Sequence, residues 1–317
     1  MEAAPFDGCV FRAAYVRPDG RLGELAWEAW GGLPISPASL SSARADLLAT
    51  RFRRFTHNFL RLNVTPGDLD WFDDFAPLLA NVRTATRLAG EGGAAGILLD
   101  TEAYAAPLFD YRRQRRAGGV PWIGYAGQAR QRGQEIMAAM QEGFPGLTLL
   151  MTFGYSGPWL EMARRGIPLA ECEYGLLPAM LDGMLDVASG RTRLVDGFEP
   201  AYFHDKDTTK FRGAFRMIRE ELLSIVADPI RYRERVSVGF GLFVDYDPEG
   251  RAWNGLDGSR NYYTPADFEA SVRAALDAAD EFVWIYADAP RWFSAAGRPV
   301  KLPAGYLEAL HRARVPR

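Results

Sequence analysis

The sequence predicts an α/β protein built on a parallel sheet, and three observations predict it. Seven short apolar runs, most of them rich in Val, Ile, Leu and Phe, recur along the chain. Strands covered on both faces have this composition. Stretches with helical spacing and helix-start signals separate the runs. No Gly/Ser-rich linker, composition break or short repeat divides the 317 residues, so one domain spanning 1–317 is expected. Strand alternating with helix over this length calls for crossover connections, and a closed (β/α)8 barrel fits it as a single domain. The alternative, a doubly wound sheet, carries a Gly-rich turn directly after its first strand. Here Gly90-Glu91-Gly92-Gly93 precedes a strand, so it reads as a helix stop.

The expected strands are 9–15, 58–64, 96–102, 148–154, 193–198, 236–245 and 282–287. Thr65-Pro66-Gly67-Asp68 opens a helical segment through Trp71, Phe72 and Phe75 to about residue 89. Residues 127–142 form an amphipathic helix closed by Gly143 and Pro145, and 176–188 form another, stopped by Gly190. In 209–226, Phe211, Phe215, Ile218, Leu222 and Ile225 recur at helical spacing. Thr264-Pro265-Ala266-Asp267 has the form of a capping box with proline at the first helical position, opening a helix to 279. A helix over 303–313 follows. Seven strands are one short of a full barrel, and the first begins directly after Pro5-Phe6-Asp7-Gly8. A barrel with a missing or irregular first strand accounts for this and makes 96–102 strand four. The edge left at 9–15 would expose unpaired backbone, favouring association with a second copy or filling by another segment.

Composition narrows the function. A net charge of −3 gives no electrostatic case for nucleic acid. Of 37 basic residues only Lys206, Lys210 and Lys301 are lysines, all in loop or helix contexts, which leaves a Schiff-base aldolase little to work with. The run Arg112-Arg113-Gln114-Arg115-Arg116 reads as a solvated surface loop. Cys9 and Cys172 make neither a disulfide framework nor a zinc site, and His57, His204 and His311 are too scattered for a histidine metal cluster. His57 falls at the start of its strand and reads as structural, whereas His204 follows a strand end. No membrane span is expected, no secretion signal is visible, and no cofactor or metal is implied. No Gly-x-Ser-x-Gly elbow is present.

The chemistry concentrates at Gly96-Ile97-Leu98-Leu99-Asp100-Thr101-Glu102, where an apolar strand ends in two carboxylates spaced i, i+2. Side chains alternate along a strand, so Asp100 and Glu102 face the same way, with Cα atoms about 6.5–7 Å apart. Carboxyl pairs that work on one sugar use separations of about 5–10 Å. Asp-x-Glu also occurs at Asp247-Pro248-Glu249 and Asp267-Phe268-Glu269, but only the first closes a buried-looking strand.

Barrel active sites lie at the C-terminal strand ends. Those ends carry Arg61 and Asn63, Asp100 and Glu102, Tyr155, Asp196 and Glu199, Asp245 with Tyr246 and Asp247, and Asp288. Tyr104, Trp159, Tyr202, Trp253, Trp292 and Phe293 follow closely. Aromatic faces stack on pyranose C–H faces while carboxylates and arginine bond the hydroxyls, so a carbohydrate substrate is expected. Arg61, Tyr104, Tyr155, Asp196, Tyr202, Tyr246, Trp253, Asp288 and Trp292 are the expected substrate contacts. Individually, each has an ordinary structural reading as a helix cap, turn residue or loop packer.

These features resemble the barrel glycoside hydrolases with Asp-x-Glu at strand four. Family-18 chitinases end that strand in Asp-x-x-Asp-x-Asp-x-Glu; Asp100 and Glu102 match its last two acids, and Ala95 and Leu98 stand where the earlier two would be. Family-25 lysozymes share the short Asp-x-Glu. The Trp-containing Phe282-Val283-Trp284-Ile285-Tyr286 is similar to the last strand of family 18. The resemblance implies a glycosidase acting on an oligo- or polysaccharide. In the chitinase form of that mechanism Glu102 is the general acid and Asp100 orients an acetamido group. With Ala95 and Leu98 in place of acids, ordinary two-carboxylate hydrolysis is expected. Glu102 protonates the leaving oxygen, Asp245 or Glu199 is base or nucleophile, and like charge from Asp100 raises the Glu102 pKa. A non-catalytic carbohydrate-binding barrel and a carboxylate-metal lyase or aldolase-type barrel are the competing expectations.

Overall fold

A computed structural model describes residues 2–293 and 300–315. Among them the chain runs β1 (Val10–Phe11), β2 (Ala14–Val16), β3 (Leu22–Glu24), α1 (Leu25–Glu28), α2 (Ser41–Ala49), β4 (Phe59–Asn63) and α3 (Ala76–Glu91). It continues through β5 (Gly96–Asp100), α4 (Trp122–Gly143), β6 (Thr148–Met151), α5 (Ser156–Arg165), α6 (Leu177–Val187) and β7 (Arg193–Asp196). Then come α7 (Lys210–Arg219), α8 (Pro229–Arg235), β8 (Val236–Val238), β9 (Phe240–Phe243), α9 (Pro265–Ala278), β10 (Val283–Tyr286) and α10 (Tyr306–Ala313). The chain divides into two compact units. The larger holds Asp7–Asp196 and Leu222–Ser237; the smaller holds Gly197–Glu221 with the described residues of 1–6 and 238–317.

The protein is α/β, with a central six-stranded sheet ordered β1-β4-β5-β6-β7-β8. Each pairing from β1 to β7 is parallel. Every residue of β5 and β6 is buried. That explains their unbroken apolar sequences: burying each such side chain contributes about 1.5–3 kcal/mol. Gly96 begins β5 because β6 comes too close for anything larger; a Cβ there would sit 1.8 Å from the Thr148 carbonyl oxygen. α3 packs on β4 and β5, and α4 packs against both α3 and α6. The α4–α6 approach depends on Gly133 and Gly183, where added Cβ atoms would meet the Met180 and Arg130 carbonyl oxygens at 2.0 and 1.8 Å.

Four elements depart from the sequence expectation. The helix expected from Thr65 begins only at Ala76. The residues before it are held in a turn: Asp70, buried, accepts from the amides of Phe72 and Arg115 and from the Tyr125 hydroxyl. The first strand is two: β1 pairs with β4, whereas β2 pairs antiparallel with β3. The strand expected over 236–245 divides at Gly239, β8 joining the central sheet and β9 pairing in parallel with β10. The 209–226 helix stops at Arg219, followed by a 3-10 turn over Glu221–Ile225. The arginines of the 112–116 run are exposed, as expected, and Arg112 bonds Asp110 while Arg115 and Arg116 reach Asp73. As expected, α3 stops at the Gly92-Gly93 pair and α9 opens with the reciprocal Thr264–Asp267 capping box.

In the smaller unit, α9 packs against α7 and α10, and the Trp284 indole donates to the Gly197 carbonyl at 2.8 Å. No helix among the described residues is long and apolar enough to cross a membrane.

Candidate active site

The central cluster of the larger unit is built on two neighbouring parallel strand ends. Asn63 of β4 stands in register with Asp100 of β5. Arg61, two residues earlier, lies on the same face as Asn63, because side chains alternate along a strand. Its Nε donates to Asn63 Oδ1 at 3.1 Å and its Nη2 to Asp100 Oδ2 at 2.5 Å. The Asp100 side chain is 2% exposed and that of Arg61 25%. A carboxylate that deep is tolerable because the guanidinium pairs and hydrogen-bonds it.

The strand ends at Asp100, two residues earlier than expected. Thr101 turns the chain off the ladder: its amide donates to Thr152 Oγ1 at 3.1 Å and its hydroxyl to the Phe153 carbonyl at 2.8 Å. Thr101 is fully buried. Asp100 and Glu102, either side of it, face the other way, and the Glu102 amide donates back to Asp100 Oδ1 at 3.2 Å.

Glu102 is half-buried. Burial is the main cause that pushes its pKa above the ordinary glutamate range; repulsion from Asp100 adds to this, while Tyr104 and Arg61 pull it down. The expected like-charge effect is present but secondary to desolvation. Tyr104 bridges the acids: its hydroxyl bonds Glu102 Oε2 and lies 3.2 Å from Asp100 Oδ2. The Tyr174 hydroxyl, itself raised to about 12 chiefly by burial, accepts from the Ala103 amide at 3.3 Å.

Sequence reasoning missed Trp27. It lies on α1, its ring 5.3 Å from that of Tyr104, and the Arg61 guanidinium carbon is 5.5 Å from its centroid. Nothing local in Leu25-Ala26-Trp27-Glu28 marks a site residue. The β2–β3 hairpin and the contact of α1 with β4 bring it there, and the hairpin was not anticipated. Glu28, beside it, is bound by Arg17 and Tyr15.

Two other expected contacts in this unit turn inward. Tyr155 is fully buried and donates to Asp182 Oδ1 at 2.9 Å. Asp182 also accepts from the Ala227 amide at 3.1 Å, and burial pushes its pKa up to about 6. Asp196, fully buried, accepts from the Ser156 amide at 3.0 Å and hydroxyl at 2.7 Å, anchoring the start of α5. Both positions do structural work where sugar contact was expected.

The remaining expected residues belong to the smaller unit. Asp245, Tyr246 and Trp253 line one shallow cleft there with Asn261 and Tyr262. Asp245 accepts from the Asp288 and Ala289 amides at 3.1 and 2.8 Å, tying down the loop after β10, and burial raises its pKa. Asp288 receives the Tyr286 hydroxyl at 2.5 Å. Glu199 is half-buried in the first turn of the 3-10 segment Glu199–Phe203. Tyr202 is buried, stacked on Tyr286 and edge-on to Trp284. Trp292 packs against Phe6 and Phe268. His204 is buried against Phe211 with its pKa lowered to about 4 by burial, so the ring is neutral at physiological pH. No group of three His, Cys, Asp or Glu arranged to hold a metal ion occurs among the described residues.

No protein-family model matches the chain, and no curated protein matches its sequence.

Proposed function

We propose that the protein is a glycoside hydrolase in which Glu102 is the general acid. The observation that carries this is Glu102 itself. It is a half-buried carboxyl with a raised pKa, set just past a parallel strand end and beside an acid, Asp100, that is already ion-paired to Arg61. A carboxyl held towards its protonated form at such a place suits general-acid chemistry at neutral pH. Glu102 gives its proton to the glycosidic oxygen, and the C–O bond breaks with its electron pair passing to that oxygen. Water adds to the anomeric carbon and releases a proton to solvent, and solvent reprotonates Glu102. Tyr104, half exposed, and the neighbouring Trp27 ring supply the aromatic surface that a pyranose packs against.

The barrel reading of the fold belongs to the same proposal. The central strands lie in sequence order from β1 to β8, with no reversal. A doubly wound sheet reverses its strand order at the switch point where it binds ligand; a barrel adds each strand beside the last.

The test is a hydrolysis screen of the full chain against aryl glycosides and bacterial and plant polysaccharides, reading phenolate or new reducing ends. Turnover of one class that is lost in Glu102→Gln supports the reading. Saturable binding of a polysaccharide with no cleavage points instead to a carbohydrate-binding protein.

A further inference from the structure

We propose that Tyr104 is the positioning residue of the acid: its single hydroxyl, shared between Asp100 and Glu102, selects the Glu102 oxygen that carries the proton and stabilises the carboxylate left after transfer. The inference rests on the glycosidase reading and deepens it. Its warrant is geometric. Among the hydroxyl's contacts are Glu102 Oε2 and Asp100 Oδ2, and one hydroxyl proton serves one oxygen at a time. A proton on Oε2 would be held by the phenol oxygen, so the proton delivered to substrate is the one on Oε1.

Before transfer the negative charge lies on Asp100, and the hydroxyl proton points to Oδ2. Glu102 then passes its Oε1 proton to the glycosidic oxygen and becomes a carboxylate. The hydroxyl turns to Oε2, making a charge-assisted bond to the carboxylate that the transfer creates. No proton leaves Tyr104, and Asp100 keeps its bond to Arg61. The other groups facing Glu102 are Asp100 from β5, Arg61 from β4 and Tyr174 from the segment before α6. Trp27 supports the Tyr104 ring edge-on from α1, so the phenol is held although the residue is 52% exposed.

The variant is Tyr104→Phe, which keeps the ring and its packing and removes only the hydroxyl. Two readouts separate this inference from the reading beneath it. The first needs no activity: the Glu102 side-chain carboxyl is titrated by carbon NMR in wild type and variant, with Glu102→Gln assigning the resonance. Tyr104 favours the charged form, so Glu102 is expected to titrate at higher pH in the variant. The second is the pH profile of kcat/KM on a substrate found in the screen. The basic limb, which reports Glu102 losing its proton, is expected to move upward, with kcat at neutral pH about ten- to a hundredfold lower from lost alignment and KM little changed. Tyr104→Phe in which Glu102 titrates where it does in wild type overturns the inference, whatever the activity. Glu102→Gln that turns over normally overturns the glycosidase reading, whatever the titration.

Discussion

Arg61 Nη2 sits 2.5 Å from Asp100 Oδ2, joining the middle of one strand to the end of its parallel neighbour. The pair makes a nearly buried carboxylate affordable next to a second acid, and it gives the cluster its fixed point. Arg61 was expected to bond substrate hydroxyls; the structure gives it Asn63 and Asp100 instead.

Arg61→Met therefore strands the Asp100 charge. Removing one partner of a buried pair costs about 3–5 kcal/mol, and the partial exposure of Arg61 places this one near about 3 kcal/mol. Adding Asp100→Asn should recover part of that loss, because the charge left unpaired is gone. Urea unfolding of the two single variants and the double variant measures this. An Arg61→Met protein as stable as wild type would mean that the ion pair contributes nothing.

Asp196→Ala is expected to lose stability and keep function. The change strands two donors of Ser156, at about 1–3 kcal/mol for a buried group left unsatisfied. With no direct part in the reaction, kcat/KM at a permissive temperature should stay within about twofold of wild type. A large loss of kcat/KM with unchanged stability would return Asp196 to the substrate contacts.

Asp182 makes a pH-dependent prediction. Its folded pKa, about 6, lies above the ordinary value of about 3.9. The stability linked to its proton is present in full below about pH 4 and lost as pH rises through 6. Asp182→Asn keeps an Oδ1 acceptor for Tyr155 and Ala227 and carries no charge at any pH. Its stability relative to wild type should therefore improve between pH 4 and pH 7.5 by about 2 kcal/mol, since each pKa unit is worth about 1.4 kcal/mol. Thermal or urea melts across that range test it, and a constant difference would contradict it.

The central strands were legible because burial on both faces leaves an unbroken apolar run, as in Gly96-Ile97-Leu98-Leu99. The Asp100–Glu102 pair was legible through strand alternation. The hairpin of β2 and β3 was not, since its strands have three residues each and their inward and outward positions carry no clear hydrophobic contrast. Trp27 was lost with it. Asp196 and Tyr155 were misread because a strand-end residue aimed at a ligand and one aimed at the next helix look alike in sequence. Only the donors around Asp196, from Ser156 forty residues back, distinguish the two.

The central claim, that Glu102 donates a proton to a leaving oxygen, is tested most directly by the leaving-group dependence of Glu102→Gln. Wild type and the variant are compared on a series of aryl glycosides of one sugar, from a dinitrophenyl leaving group, which departs without a proton, to an unactivated alkyl or sugar leaving group. The account predicts near-wild-type cleavage of the dinitrophenyl glycoside and a loss of about 100- to 10,000-fold on the unactivated ones. Equal activity of variant and wild type on the unactivated substrates, or an equal loss across the whole series, would contradict it.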